Sequence, residues 1–147
     1  MVGPFELGGD GPAVVLVGVD GSPTSLRAAA YAAGLARRSR ARLVVVHVSS
    51  APLMSGFAPT AAVTADTLAQ LADDLATQVR EGADRLGIAA EFVVHNGDPF
   101  TEIASVADDA RADAVVVGAS KQAGHRLVGS IAVRLVRAGR WPVTVVP

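Results

Sequence analysis

The sequence predicts an α/β fold, a five-stranded parallel sheet with helices on both faces, on three observations. The runs VVLVGV, LVVVHV and AVVVG are apolar throughout, as strands buried on both faces are, instead of alternating with polar residues. Between these runs lie longer segments with helical apolar spacing, so strand and helix alternate along the chain. Gly, Asp, Ser and Pro stand at the strand ends in combinations that open helices, as right-handed crossovers between parallel neighbours require.

Residues 1–12 contain Gly3, Pro4, Gly8, Gly9, Gly11 and Pro12, a composition that resists regular structure. They read as a flexible N-terminal tail, and 13–147 as one domain. The first strand is Ala13 to Val19, stopped by Asp20-Gly21-Ser22-Pro23, where Ser22 is placed to cap a helix and Pro23 to occupy its first position. That helix runs to about Arg38 with an apolar side of mainly small residues, Leu26, Ala29, Ala30, Ala33 and Leu35, suited to close packing on a sheet. Leu43 to Val48 is the second strand. The connection from Ser49 to Val63 is longer than a plain crossover needs, and reads either as a lid or partner surface or as a loop folded onto the domain. Thr64 is the expected cap of a second helix carrying Leu68, Leu71, Leu75 and Val79, which Gly87 ends. Glu91 to His95 is the third strand, and Gly97-Asp98-Pro99 starts the third helix. Ala114 to Val117 is the fourth strand, and Val143 to Val146 the last.

The stretch after the fourth strand carries the candidate chemistry. Gly118 ends the strand, and Gly129-Ser130 opens a helix with Ser130 as the expected N-cap. A helix start offers unpaired N–H groups and the positive end of its dipole, so an anion beside Gly129 and Ser130 would be stabilised there. Lys121, the only lysine of the chain, and Arg126 lie between the two glycines, where phosphate charge needs neutralising. The plainer alternative is a strand end, a tight helix entry and a cap with no ligand.

Composition narrows the classes of function. The chain has 147 residues, half of them hydrophobic, which suffices for a full core without covalent staples. A net charge of -1 and a pI near 6.3 give no electrostatic footprint for nucleic acid or an acidic membrane surface. The absence of cysteine rules out disulfides and thiolate metal sites. With no apolar run of membrane-spanning length, the expectation is a cytoplasmic protein. Arg37, Arg38, Arg40 and Arg42 form a basic cluster at the end of the first helix, on the edge opposite the strand C-termini, where contact with the helix terminus and solvent is its ordinary role. No G-x-x-x-x-G-K-[ST] loop or G-x-S-x-G elbow is present, and His47, His95 and His125 lack metal-ligand spacing. Asp20 and Asp98 both sit at helix-start turns where aspartate caps, so the sequence supplies no acid, base and metal set for hydrolysis.

In order and spacing, VVLVGVDGS, LVVVHV, the GDP turn, ADAVVVGAS, VGS and WPVTVV resemble the universal stress protein family over nearly all of Ala13 to Val146. The resemblance implies strand order 3-2-1-4-5, a homodimer through Val143 to Val146, and ATP or AMP held between the first and fourth strands, with any Mg2+ brought by the nucleotide. It places Asp20 towards the adenine, the Val48 backbone along the base, and Val117, Gly118, Gly129, Ser130 and Ile131 around ribose and phosphates. Nucleotide-binding members carry G-x2-G-x9-G-[ST]. Here Lys121 stands at the second glycine, and the step from Gly118 to Gly129 is 11, two shorter than the pattern. Either the short loop no longer wraps a triphosphate, or Lys121 binds phosphate in place of the lost backbone contacts. The implied function is a nucleotide-binding, stress-response regulatory or signalling module. The alternatives are a nucleotide-free dimeric interaction module and, ranked last, an adenylyl- or phosphoryl-transfer enzyme.

Independently of the resemblance, Val143 to Val146 reads as a β-branched sheet edge blunted only by Thr144, which invites pairing with a second copy, while Pro142 and Pro147 would limit it.

Overall fold

The structure, a computed structural model, describes residues 11–49, 61–122 and 125–147, with 61–64, 121–122 and 125–127 described in their backbone alone. The tail expected over 1–12 and the Ser49 to Val63 connection therefore fall mostly outside the described residues. The elements are β1 (Val14–Val19), α1 (Pro23–Ser39), β2 (Arg42–Ser49), α2 (Ala61–Leu86), β3 (Ala90–Asn96) and α3 (Pro99–Ala110). Then come β4 (Ala114–Gly118), β5 (Ser120–Gln122), β6 (His125–Leu127), α4 (Ser130–Ala138) and β7 (Val143–Val146).

Five strands form one sheet in the order β3-β2-β1-β4-β7, every neighbouring pair parallel. This is the expected 3-2-1-4-5 order, with β7 as the fifth strand. The antiparallel ribbon β5–β6 was not expected: between the glycines, Ser120 to Gln122 pair with His125 to Leu127. Its strands, SKQ and HRL, are too short and polar to show a period of two.

Because successive strand residues point to opposite faces, β1 feeds two cores at once. Val15, Val17 and Val19 meet Ala28, Ala32 and Ala36 of α1 and Leu75 of α2. Leu16 lies on the other face with Ile103, Val106 and Ala107 of α3 and Ala132 and Leu135 of α4. The buried face of α1 is thus Ala28, Ala32 and Ala36 and not the expected Leu26, Ala29, Ala30, Ala33 and Leu35, of which Leu26 and Ala30 are exposed, and it has a direct geometric result. Its first turn lies so close to β4 that a Cβ at Gly118 would stand 2.6 Å from the Thr24 carbonyl carbon and 2.7 Å from the Ser25 nitrogen.

The helix ends follow from local chemistry. Ser22 caps α1 by accepting the Ser25 N–H at 3.2 Å, with Pro23 following it in the first turn. The α1 C-cap Arg40 is left-handed at φ 55, and Arg42 pairs with Glu91 at 2.9 Å. This basic cluster sits where β2 begins, at the far end of the sheet from the strand C-termini. Thr64 is not the start of α2, since the helix already includes Ala61 and Ala62; alanine extends helices readily. At the edge where the strands begin, Asp113 accepts the Ala13 and Val14 N–H groups, each at 2.9 Å, and pins the entry to β1.

Gly118→Ala is expected to destabilise the domain by about 1–3 kcal/mol, because its methyl would have to displace backbone and not a flexible side-chain tip. Urea denaturation would show a lower midpoint at an unchanged slope; a wild-type midpoint would mean that α1 yields freely.

Candidate functional site

Beyond β1 the chain steps outwards through β2 and β3, then returns to the other side of β1 as β4. Such a reversal opens a crevice at the C-terminal ends of the strands. A cavity of about 480 Å³ lies there. Asp20, Val48, Val117, Gly118, Gly129, Ser130 and Ile131, brought in by β1, β2, β4 and α4, all line it. Val46, Ser22, Thr24, Ser25, Pro99, Ile103 and Ser120 line it as well, none of them expected at the site, with Ser22 and Pro99 read as helix-start residues alone. The hydroxyls at positions 22, 24 and 25, directly after Asp20-Gly21, were a readable signal.

The lining is divided by chemistry. Val46 and Val48 of β2 with Pro99 and Ile103 of α3 make one side apolar, whereas hydroxyls and backbone from the β1–α1 and β4–α4 junctions make the other polar. Such an amphiphilic cleft suits a flat apolar group joined to a hydroxyl-rich, anionic one.

Asp20 closes its own turn: one carboxylate oxygen accepts the Ser22 N–H at 2.8 Å, and the Asp20 N–H donates to Ser25 Oγ at 3.2 Å. Burial works to raise the Asp20 pKa, but the hydrogen bonds of Ser22, with Ser25 and the Asp20 N–H, outweigh it and leave it below the ordinary value. The carboxylate is therefore a charged acceptor at neutral pH. Ser25 Oγ in turn donates to the Ser22 carbonyl at 3.0 Å, so the rim is braced before any ligand arrives.

Ser130 is not an N-cap. It is the first helical residue of α4, and Gly129, at φ -64 and ψ 160, takes the cap position with no side-chain hydrogen bond. The Gly129 carbonyl accepts from Val133 at 3.1 Å, as a cap carbonyl does, and glycine suits the position because a Cβ there would press on Ser120 Cβ at 3.1 Å. The opening turn of α4 thus faces the cavity without a side-chain cap, its N–H groups forming a partial positive charge. In the ribbon, Lys121 is paired with Arg126; the side chains of both lie outside the described residues.

Asp98 caps α3 by accepting the Thr101 N–H at 2.9 Å and hydroxyl at 2.8 Å, and it meets Arg134 at 3.1 Å. These bonds, Thr101 first and Arg134 after it, hold its pKa at about 2. His95 pairs through Nδ1 with Glu102 at 2.8 Å. His47 is buried and donates from Nδ1 to the Val19 carbonyl at 2.9 Å. Its Nε2 has no partner among the described residues. No group of three or more metal-ligating side chains occurs among the described residues, and none of their helices is long and apolar enough to cross a membrane.

The sequence profile of the universal stress protein family matches residues 13–147. Universal stress protein MJ0531 of Methanocaldococcus jannaschii is 26% identical over 136 residues, 90% of this chain and 80% of that protein. A universal stress protein family structure from Burkholderia pseudomallei superimposes with a TM-score of 0.75 at 26% identity, covering 92% of this chain and 96% of that one. A universal stress protein solved in complex with cAMP gives a TM-score of 0.65 at 28% identity, with coverage of 92% and 96%.

The depressed Asp98 pKa fixes the sign of a pH effect. Its stabilising bonds are complete above the unfolded value of 3.8 and are lost as pH falls towards about 2. Asp98→Asn keeps a capping side chain but removes the titration. Acid unfolding followed by circular dichroism should therefore fall less steeply between those two pH values in the variant; equal slopes would contradict the assignment.

Proposed function

The chain belongs to the universal stress protein family, and we propose on that premise that it binds an adenine nucleotide, ATP or AMP, and acts as a cytoplasmic stress-response regulatory module. The observation that carries this reading is the convergence of Asp20, Val48, Gly118, Gly129, Ser130 and Ile131 on one cavity with one apolar and one polar side. The base lies against Val46, Val48 and Ile103, and the ribose hydroxyls meet the Asp20 carboxylate. The phosphate sits at the uncapped start of α4, beside Gly129, Ser130 and Ile131, with Val117 and Gly118 beneath. Lys121 and Arg126, opposite each other in the ribbon, supply positive charge for the phosphate, since two cations at one ladder position repel until an anion joins them. Magnesium enters only with the nucleotide. The similar structure in complex with cAMP supports an adenine ligand.

A second reading rests on β7. It is the outermost strand beside β4, and its residues are only half buried. Pairing of Val143 to Val146 with a second copy across a two-fold axis covers that edge and makes a homodimer. Loops moved by nucleotide at the cavity then report to protein partners.

Calorimetric titration of nucleotide-free protein should give a dissociation constant below about 100 μM for ATP with magnesium or for AMP, roughly −5.5 kcal/mol or stronger, and weaker binding in Lys121→Ala. Absence of saturable binding at millimolar nucleotide would leave the nucleotide-free dimeric module. Size exclusion with light scattering is expected to show a dimer at micromolar concentration; a monomer would remove the β7 interface.

A further inference from the structure

We infer that Arg134 and Asp98 are positioning residues for the phosphate end of the site, an inference that rests on the nucleotide reading above. Two helices wall the cavity on one face of the sheet: α3 through Pro99 and Ile103, α4 through Ser130 and Ile131. The second is the weaker wall. It has nine residues and no side-chain cap, and Ala132 and Leu135 are its buried anchors.

Arg134 ties this short helix to the start of the other. Its Nη1 donates to Asp98 Oδ1 at 3.1 Å, and its guanidinium lies 4.4 Å over the Phe100 ring. The receiving end is already rigid, because the other Asp98 oxygen is engaged by Thr101 as the α3 cap. Arg134 stands one helical turn beyond Ser130, on the same side of α4. The contact therefore fixes how far the first turn of α4 stands from α3, and with it where the N–H groups of that turn point. Both side chains of the pair are about half exposed, at 49% and 47%, and exposed pairs contribute little to folding. Its effect should appear in binding, not in stability. Arg137, one residue short of a further turn, is exposed and carries the same charge without a hydrogen bond to α3.

The test compares AMP with adenosine as ligands of the wild type, Arg134→Gln, Arg134→Lys and Arg137→Gln by calorimetry, with thermal unfolding alongside. Arg134→Gln should weaken AMP by about three- to tenfold, the size of effect a residue that acts through others and does not touch the ligand exerts, while adenosine binding and the melting temperature hold. Arg134→Lys should recover most of the loss, and Arg137→Gln should bind as the wild type does. Equal weakening by Arg134→Gln and Arg137→Gln would mean that general positive charge acts, and would overturn the inference. Equal loss for AMP and adenosine, or no loss in Arg134→Gln, would overturn it too while leaving the nucleotide reading in place. A wild type that binds neither AMP nor ATP defeats both.

Discussion

The close approach of α1 to β4 is the constraint on which the site depends. With no Cβ at Gly118, the backbone of Thr24 and Ser25 lies directly on the strand. The helix can come that near because Ala28, Ala32 and Ala36 present no bulk to the sheet. The same approach brings the Ser22, Thr24 and Ser25 hydroxyls to the mouth of the crevice between β1 and β4. One packing contact thus sets both the back of the cavity and the polarity of its rim. A larger residue at position 118 would alter both together.

The starts of α1, α3 and α4 at this edge show how charge is distributed around the cleft. In α1 and α3 a cap side chain takes one first-turn N–H, Ser22 that of Ser25 and Asp98 that of Thr101, and the Asp98 carboxylate also opposes its helix dipole with charge. In α4 the cap is glycine and makes no such bond. Its partial positive charge lies open to the cavity, while the charged Asp20 carboxylate lies across from it on the β1 turn. A ligand with hydroxyls at one point and an anion at another matches this asymmetry. A ligand anionic throughout would meet Asp20 unfavourably.

Much of the fold was legible because burial on both faces leaves a plain mark: VVLVGV, LVVVHV and AVVVG can hardly be anything but central strands. The helix starts at Ser22-Pro23 and Asp98-Pro99 were legible for the same reason, as cap and first-turn chemistry is local. What escaped was decided by tertiary contact. Ser130 looks like a cap in sequence, yet the helix begins one residue earlier than that reading, with Gly129 in the extended cap conformation and Ser130 already helical. The ribbon of Ser120–Gln122 and His125–Leu127 escaped because three-residue polar strands show no periodicity. Pro99 and Ile103 joined the site through the packing of α3 over the sheet, which the GDP turn, read as a helix start alone, does not announce.

The two glycines that first suggested a phosphate loop have reasons of their own. Gly118 is required by the α1 backbone, a Cβ at Gly129 would crowd Ser120, and neither reason involves a ligand. The span between them is two residues short of the family pattern, and the ribbon accounts for it: Ser120 pairs with Leu127, so the ends of the span are drawn together by its own ladder. Its paired backbone groups are spent within the protein and are not free to wrap a phosphate chain. The weight of the nucleotide reading therefore passes from glycine spacing to the amphiphilic cavity and the open start of α4. That shift also explains how Lys121 can replace a glycine at this point, since a residue in a strand needs no left-handed freedom, whereas one in a tight phosphate turn does.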